Sequence, residues 1–385
     1  MKEGWVYKKL GEVCEIFGRI GFRGYTKSDL VKTPDEGAIT LSPSNIINGE
    51  MIFDKCTYIK WSKYEESPEI KINVGDILIV KTASVGKTAI VRSLPHQATI
   101  NPQFVVLKKI KVDNYYLSYY LKSQFAQQYI WSIAKGAAAQ TVSQKNLAEL
   151  STPVPPLPDQ QRIVSYLDSE FAKIEALKAN AEKQLQAAKD LFQAALKELL
   201  TPKEGWEEKK FGDVCHYYKV QGKWENIEYI GLEHIEAHTS NLLATISAND
   251  VESSTFKFNK GDVLYGRLRP YLQKVVIAPF DGCCSTEIFP IKSNIINNAF
   301  LKYWLLSNRV TEIMINSCSG CRMPRANMND FKQETIHYPQ FEDQQRIAAR
   351  LDALSANVKA LQTNYTETIT LCNDLKQALL KKVFG

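Results

Sequence analysis

The stretch "PDQQRIVSYLD", Pro158 to Asp168, returns later in the chain as "EDQQRIAARLD", Glu342 to Asp352. Other segments return in the same order. "EGWVYKKLGEVC", ending at Cys14, recurs as "EGWEEKKFGDVC", ending at Cys215. "GDIL" at Gly75–Leu78 recurs as "GDVL" at Gly261–Leu264, and "DLFQAALKELL" from Asp190 recurs as "DLKQALLKKVF" from Asp374. A fixed order of returning segments is the mark of an internal repeat. The two halves share one plan, and the spacing shows extra residues in the early part of the first.

The residues flanking "PDQQRIVSYLD" set the architecture. The proline-rich "TPVPPLP" forbids helix. Asp159 is then placed to cap a long helix ending at Leu200, before Thr201-Pro202. Apolar residues recur along it at Ile174, Leu177, Ala181, Leu185, Ala188, Phe192, Ala195 and Leu199. Steps of three and four describe a coiled-coil seam. The second copy repeats it through Ile347, Leu351, Leu354, Val358, Leu361, Tyr365, Cys372, Leu375 and Leu379. A helix of about 40 residues is about 60 Å long, more than a small domain buries along one stripe. The two stripes are therefore expected to bury each other, antiparallel, with the halves related by a pseudo-two-fold.

The segments ahead of the helices mix short β-rich runs, such as "GDILIVK" and "FVVLKKI", with one amphipathic helical stretch, "YYLSYYLKSQFAQQYIWSIA". The expected fold class is α+β: two globular domains, 1–156 and 203–339, separated by a long antiparallel two-helix coiled coil, 157–202 and 340–385, in a tandem repeat.

Several pieces suggest chemistry and fail on inspection. Gly86-Lys87-Thr88 has the tail of a phosphate-binding loop, but Lys81 stands where the first glycine is needed. The second copy reads Gln273-Lys274-Val275. Asn101-Pro102-Gln103-Phe104 has the outline of a methyltransferase motif, but its counterpart is Ser285-Thr286-Glu287-Ile288, and no glycine-rich cofactor loop precedes it. Pro34-Asp35 with Glu69-Ile70-Lys71 has a nuclease-like pattern that the repeat does not keep. His234 and His238 alone make no metal site. The adjacent Cys283 and Cys284 chelate one ion awkwardly, even with Cys318 and Cys321. No catalytic constellation and no metal site is expected. The 385 residues carry a net charge of +6, a weak tilt toward a polyanionic partner. No signal peptide or membrane-spanning run is legible, so a cytoplasmic protein with reduced thiols is expected.

Beside the repeat itself, three features carry a resemblance. They are the helix starts "PPLPDQQRI" (Pro155 to Ile163) and "YPQFEDQQRI" (Tyr338 to Ile347), the two Gly-Asp hairpins, and "YIGLEHI" (Tyr229 to Ile235). The chain resembles the specificity subunit of a type I restriction-modification system, over essentially its whole length. The resemblance implies two target-recognition domains, each reading half of a bipartite double-stranded DNA site. It implies helices that set the distance between half-sites and bind two modification subunits, with Gln160, Gln161, Arg162, Gln344, Gln345 and Arg346 as docking residues. S-adenosylmethionine for adenine methylation, and ATP and magnesium for the restriction subunits, belong on those partners, with no cofactor on this chain. The loops "GAAAQTVSQKNL" and "GCRMPRANMNDF" differ in charge, as expected if they read different bases.

Arg and Lys suit guanine edges and phosphates, and Asn and Gln suit adenine. The expected DNA contacts are Arg19, Arg23, Lys81, Lys87, Lys135, Gln140 and Lys145, then Arg267, Arg269, Lys274, Arg322 and Arg325. Tyr25 and Tyr271 are expected to pack rather than stack on bases. The other class open to this sequence is a two-headed adaptor on a coiled-coil spacer that binds no DNA. A methylation-only or fused system is a third reading.

Overall fold

The computed structural model describes residues 4–137, 139–318 and 323–385. The chain divides into two compact units, Met1–Asn180 with Thr368–Gly385, and Ala181–Glu367. Both divisions fall inside a 44-residue helix, Leu157–Leu200 or Phe341–Phe384. Each unit is therefore an α+β domain plus part of both long helices.

At the centre of the first unit is an antiparallel sheet in the order Glu15–Gly18, Phe104–Lys108, Ile77–Val80, Thr88–Ile90. Side chains alternate across a strand. Ile77, Ile79, Val105 and Leu107 enter one hydrophobic cluster, while Leu78, Val80, Phe104 and Val106 enter another. Burial on both faces explains why "ILIV" and "FVVL" are unbroken apolar runs. A second sheet pairs Ala98–Ile100 in parallel with Gly37–Leu41, which continues to Tyr58–Lys60 and Leu30–Val31. Val6–Lys9 pairs with Ser151–Val154 at the foot of the first long helix.

In the second unit the strands His216–Tyr217, Ile288–Lys292, Val263–Gly266 and Val275–Ile277 take the same order as that central sheet. Its other sheet again contains a parallel pair, Glu228–Ile230 with Gly282–Ser285. Cys283 and Cys284 are successive residues of that last strand and face opposite sides. Cys284 joins the main core, and Cys283 joins a smaller cluster with Tyr229 and Ala248. Burial pushes both thiols up.

Three expectations need correction. The helical stretch after Asp113 is two helices, Asn114–Lys122 and Gln124–Ser132. Ser123 breaks it, being fully buried with extended backbone and accepting from the Ala126 amide. The first long helix opens at Leu157, ahead of Asp159. Pro158 sits in the first turn, where its missing N–H is one no helix bond needs. The apolar seam does not pass through Leu177, Leu361 or Leu375, which are 52%, 40% and 48% exposed. Strict three-four alternation through Ile174, Ala181 and Ala188 places Lys178 in the stripe, and Lys178 is half-buried. Gln362 and Lys376 take the corresponding places in the second helix. Long stems can cover apolar surface while their polar ends reach water.

Within the first unit, Ile163, Leu167 and Phe171 of the first helix share a cluster with Leu379, Leu380 and Phe384 of the second. Within the second unit, Leu196 and Leu199 share one with Leu351. The long helices thus pack together, beginning of one with end of the other. Among the described residues no helix is long and apolar enough to cross a membrane.

Candidate nucleic-acid interface

Gly86-Lys87-Thr88 closes a hairpin turn. The Gly86 amide donates to Val80 O at 3.0 Å, the Lys87 amide to Ser84 O at 3.4 Å, and the Thr88 hydroxyl to Gly86 O at 2.9 Å. Thr88 then starts a strand, not a helix. The Gly86 and Lys87 amides, which a phosphate cradle would use, are already engaged. Gly86 is needed for its φ of +88°, and a Cβ there would also displace the Gln127 carboxamide, whose Oε1 would lie 2.4 Å away.

The loop after the Gly-Asp strand is stitched to the loop before the last short helix, and this recurs in both units. In the first unit Lys81 N donates to Gln103 O at 2.7 Å, Val142 N to Lys81 O at 2.8 Å, and Ala83 N to Gln140 O at 2.9 Å. In the second, Arg267 N donates to Glu287 O at 2.9 Å, Ala326 N to Arg267 O at 3.0 Å, and Arg269 N to Pro324 O at 2.8 Å. The stitch brings exposed Lys87, Lys135 and Gln140 and half-buried Lys81 onto adjoining loops, with the Thr82 and Thr141 hydroxyls 3.0 Å apart. Burial pushes the Lys81 ammonium down. Lys145 is exposed on the short helix Gln144–Ala148 that comes next. In the second unit the stitch joins half-buried Arg267 and Arg325 with exposed Arg269. Arg269 holds a left-handed φ of +52°, so its backbone is set by the loop. Tyr271, on the same loop, is 46% exposed, contrary to the packing expected of it. Tyr25 is half-buried beneath the Arg19 guanidinium.

Other expected contacts do structural work. Arg19 is buried, donating to Ile100 O at 3.1 Å, Thr99 Oγ1 at 3.2 Å and Arg23 O at 3.3 Å. It ties a loop to the strand Ala98–Ile100, with its guanidinium spent on those three acceptors. Arg23 is ion-paired to Glu69 at 3.4 Å. Lys274 Nζ donates to Leu232 O at 2.6 Å, anchoring "YIGLEHI". His234 Nδ1 accepts from the Gly231 amide, and His238 Nδ1 lies 3.2 Å from Gln273 Oε1. Arg322 and Cys321 lie outside the described residues.

Of the residues expected to dock partners, Gln160 and Gln344 face inward. Gln160 is buried, accepting from the Asp113 amide at 2.8 Å and donating to Pro155 O at 2.8 Å. Gln344 repeats this with the Asn297 amide at 2.7 Å and Pro339 O at 2.9 Å. Each latches a long helix to the residue capping a domain helix. Gln161, Arg162, Gln345 and Arg346 are exposed. Glu287 was not among the expected residues, yet it accepts from both Arg267 and Arg325. Only the loop pairing reveals it.

The model of the type I restriction modification DNA specificity domain matches residues 2–187 and 203–371. The EcoDI type I restriction enzyme specificity subunit of Escherichia coli is 26% identical over 318 residues, covering 72% of this chain and 71% of its own. The EcoKI specificity subunit of Escherichia coli K12 is 22% identical, covering 100% of this chain and 89% of its own. Among solved structures, a chain from work on complex assembly and conformational transition of the type I R-M system superposes with a TM-score of 0.75 at 18% identity. That match covers 99% of this chain and 98% of the other. The HsdS subunit from Thermoanaerobacter tengcongensis gives 0.54 at 18% identity, covering 100% and 97%.

Proposed function

The chain belongs to the type I restriction modification DNA specificity family, and on that premise we propose that it reads a bipartite double-stranded DNA site and directs adenine methyltransferase subunits to it. Domains 1–156 and 203–339 each read one half-site. The observation that carries this is the stitched loop pair, built from the same backbone bonds in both units but bearing Lys81, Lys87, Lys135 and Gln140 in one and Arg267, Arg269 and Arg325 in the other. One scaffold with two sets of donors suits two different base sequences.

The long helices, 157–202 and 340–385, act as an antiparallel spacer and as the docking surface for two modification subunits. Exposed Leu177, Leu371 and Leu375 in the first unit, and Leu191 and Leu361 in the second, favour that surface over a bare spacer. Restriction subunits, with ATP and magnesium, join through the core of helices and modification subunits, and the modification subunits bring S-adenosylmethionine.

The test is to map methylated adenines in cells carrying the methyltransferase subunit with and without this chain. Methylation at one bipartite sequence, present only with the chain, is the expected result. Identical maps would sink the reading and leave the two-headed adaptor.

A further inference from the structure

In the second unit two arginines share one carboxylate. Arg267 Nε donates to Glu287 Oε2 at 2.9 Å and Arg325 Nε donates to Glu287 Oε1 at 2.8 Å. Backbone bonds hold the three residues together. The Arg267 amide donates to Glu287 O, Leu268 bridges to Arg325, and the Glu287 amide donates to Ser285 Oγ at 3.2 Å. The Phe289 ring centre lies 5.3 Å from the Arg267 guanidinium carbon. The carboxylate side chain is 20% exposed, against 31% and 39% for the arginines. Both arginines use Nε toward Glu287. The Nη groups of Arg267 have no hydrogen-bond partner among the described residues, and Arg325 Nη1 has only a 3.4 Å contact to Met323 O.

We propose that Glu287 is a positioning residue that holds Arg267 and Arg325 as a pair of guanine readers, so that the half-site read by the second unit contains guanine at the positions they reach. This rests on the DNA-specificity reading above. A guanidinium fixed through Nε presents its two Nη groups as a fork, which matches O6 and N7 of guanine. Fixing the side chain beforehand reduces the freedom lost on binding. A phosphate is the poorer fit. A carboxylate between the two cations repels phosphate oxygens, whereas the guanine edge is neutral.

The first unit lacks this device. Gln103 stands where Glu287 does, and its Oε1 accepts from Asn101 Nδ2 at 2.9 Å. Lys81 and Thr141 stand where Arg267 and Arg325 do. Dependence on a braced arginine pair is therefore confined to one half-site.

The experiment uses the full chain assembled with its methyltransferase subunits. The wild-type target is mapped, and binding is measured to that duplex and to duplexes with each G·C pair of either half-site changed to A·T. Glu287→Gln should lower discrimination about 10-fold or more at one or two positions of the second unit's half-site. Binding to non-cognate duplex should rise with steeper salt dependence, because a negative charge is lost. Discrimination in the first half-site should not change. If Glu287→Gln lowers the thermal midpoint, Arg267→Lys with Arg325→Lys is the second variant, keeping charge without the fork, and the same local loss is expected. A second half-site without guanine, unchanged discrimination, or a uniform fall in affinity for all duplexes overturns the inference while leaving the family reading intact. A wild-type complex with no sequence preference overturns both.

Discussion

Removing the Gln344 carboxamide leaves the Asn297 amide and the Pro339 carbonyl without their partners inside the protein. A buried group left unsatisfied costs about 1–3 kcal/mol. Gln344→Ala and, in the first unit, Gln160→Ala should each lower stability by that amount in urea titration, while Gln161→Ala and Gln345→Ala should change little. Equal effects at all four positions would mean that the latch is not the source. A second contact tests pH. Burial pushes the Asp352 carboxyl up, but hydrogen bonds from Lys302 at 2.8 Å and Tyr303 at 2.5 Å outweigh it and hold the group below the usual carboxylate range. A depressed folded pKa gives stability that is present above the unfolded value, about 3.9, and lost as pH falls through the folded value. Asp352→Asn should therefore cost about 1 kcal/mol at neutral pH and less as the pH falls through that window. The low figure reflects a side chain that is 52% exposed. A pH-independent loss would remove the carboxylate from the explanation. The repeated "DQQRI" was legible as important, but its role was not. Neighbouring glutamines on a helix point about 100° apart, so one is buried and the next is exposed, and composition cannot say which.

The elements were legible wherever one period governs the residues. Both long helices keep the three-four stripe, and the Gly-Asp hairpins match their apolar runs. The stripe was misplaced at Leu177 because a leucine sits beside the seam and a lysine sits in it. Ranking by hydrophobicity selects the wrong neighbour, whereas strict alternation selects Lys178. The split at Ser123 was hidden for a similar reason, since apolar periodicity runs through a residue that breaks the helix by backbone conformation alone. The DNA candidates were least legible. Arg19 and Lys274 look like any surface cation until the carbonyls they bind are placed. The outward leucines give the element-scale prediction. Leu177→Asp with Leu361→Asp alters exposed positions, so the thermal midpoint should move little. Co-purification with the methyltransferase subunit should fall by an order of magnitude or more if these side chains are anchors. Full co-purification would move docking off these two positions.

Two alterations probe the whole molecule. Replacing residues 1–156 with the corresponding domain of another family member should change one half of the methylated sequence and leave the other. A change in both halves would end the one-domain, one-half-site assignment. The second alteration addresses the spacer. Each 44-residue helix is about 66 Å long at 1.5 Å per residue. DNA presents the same face about every 34–36 Å, so a pair of like domains favours half-sites separated by about a whole number of turns. Four residues inserted after Leu185 lengthen one helix by about 6 Å and leave its partner unchanged. They also put a stutter into the seam. If the helices set the separation, the insertion must either lengthen the unspecified stretch between half-sites or stop assembly with the modification subunits. Methylome mapping distinguishes the two from each other and from the remaining outcome. Full methylation of the original site at unchanged spacing would show that something other than these helices measures the distance.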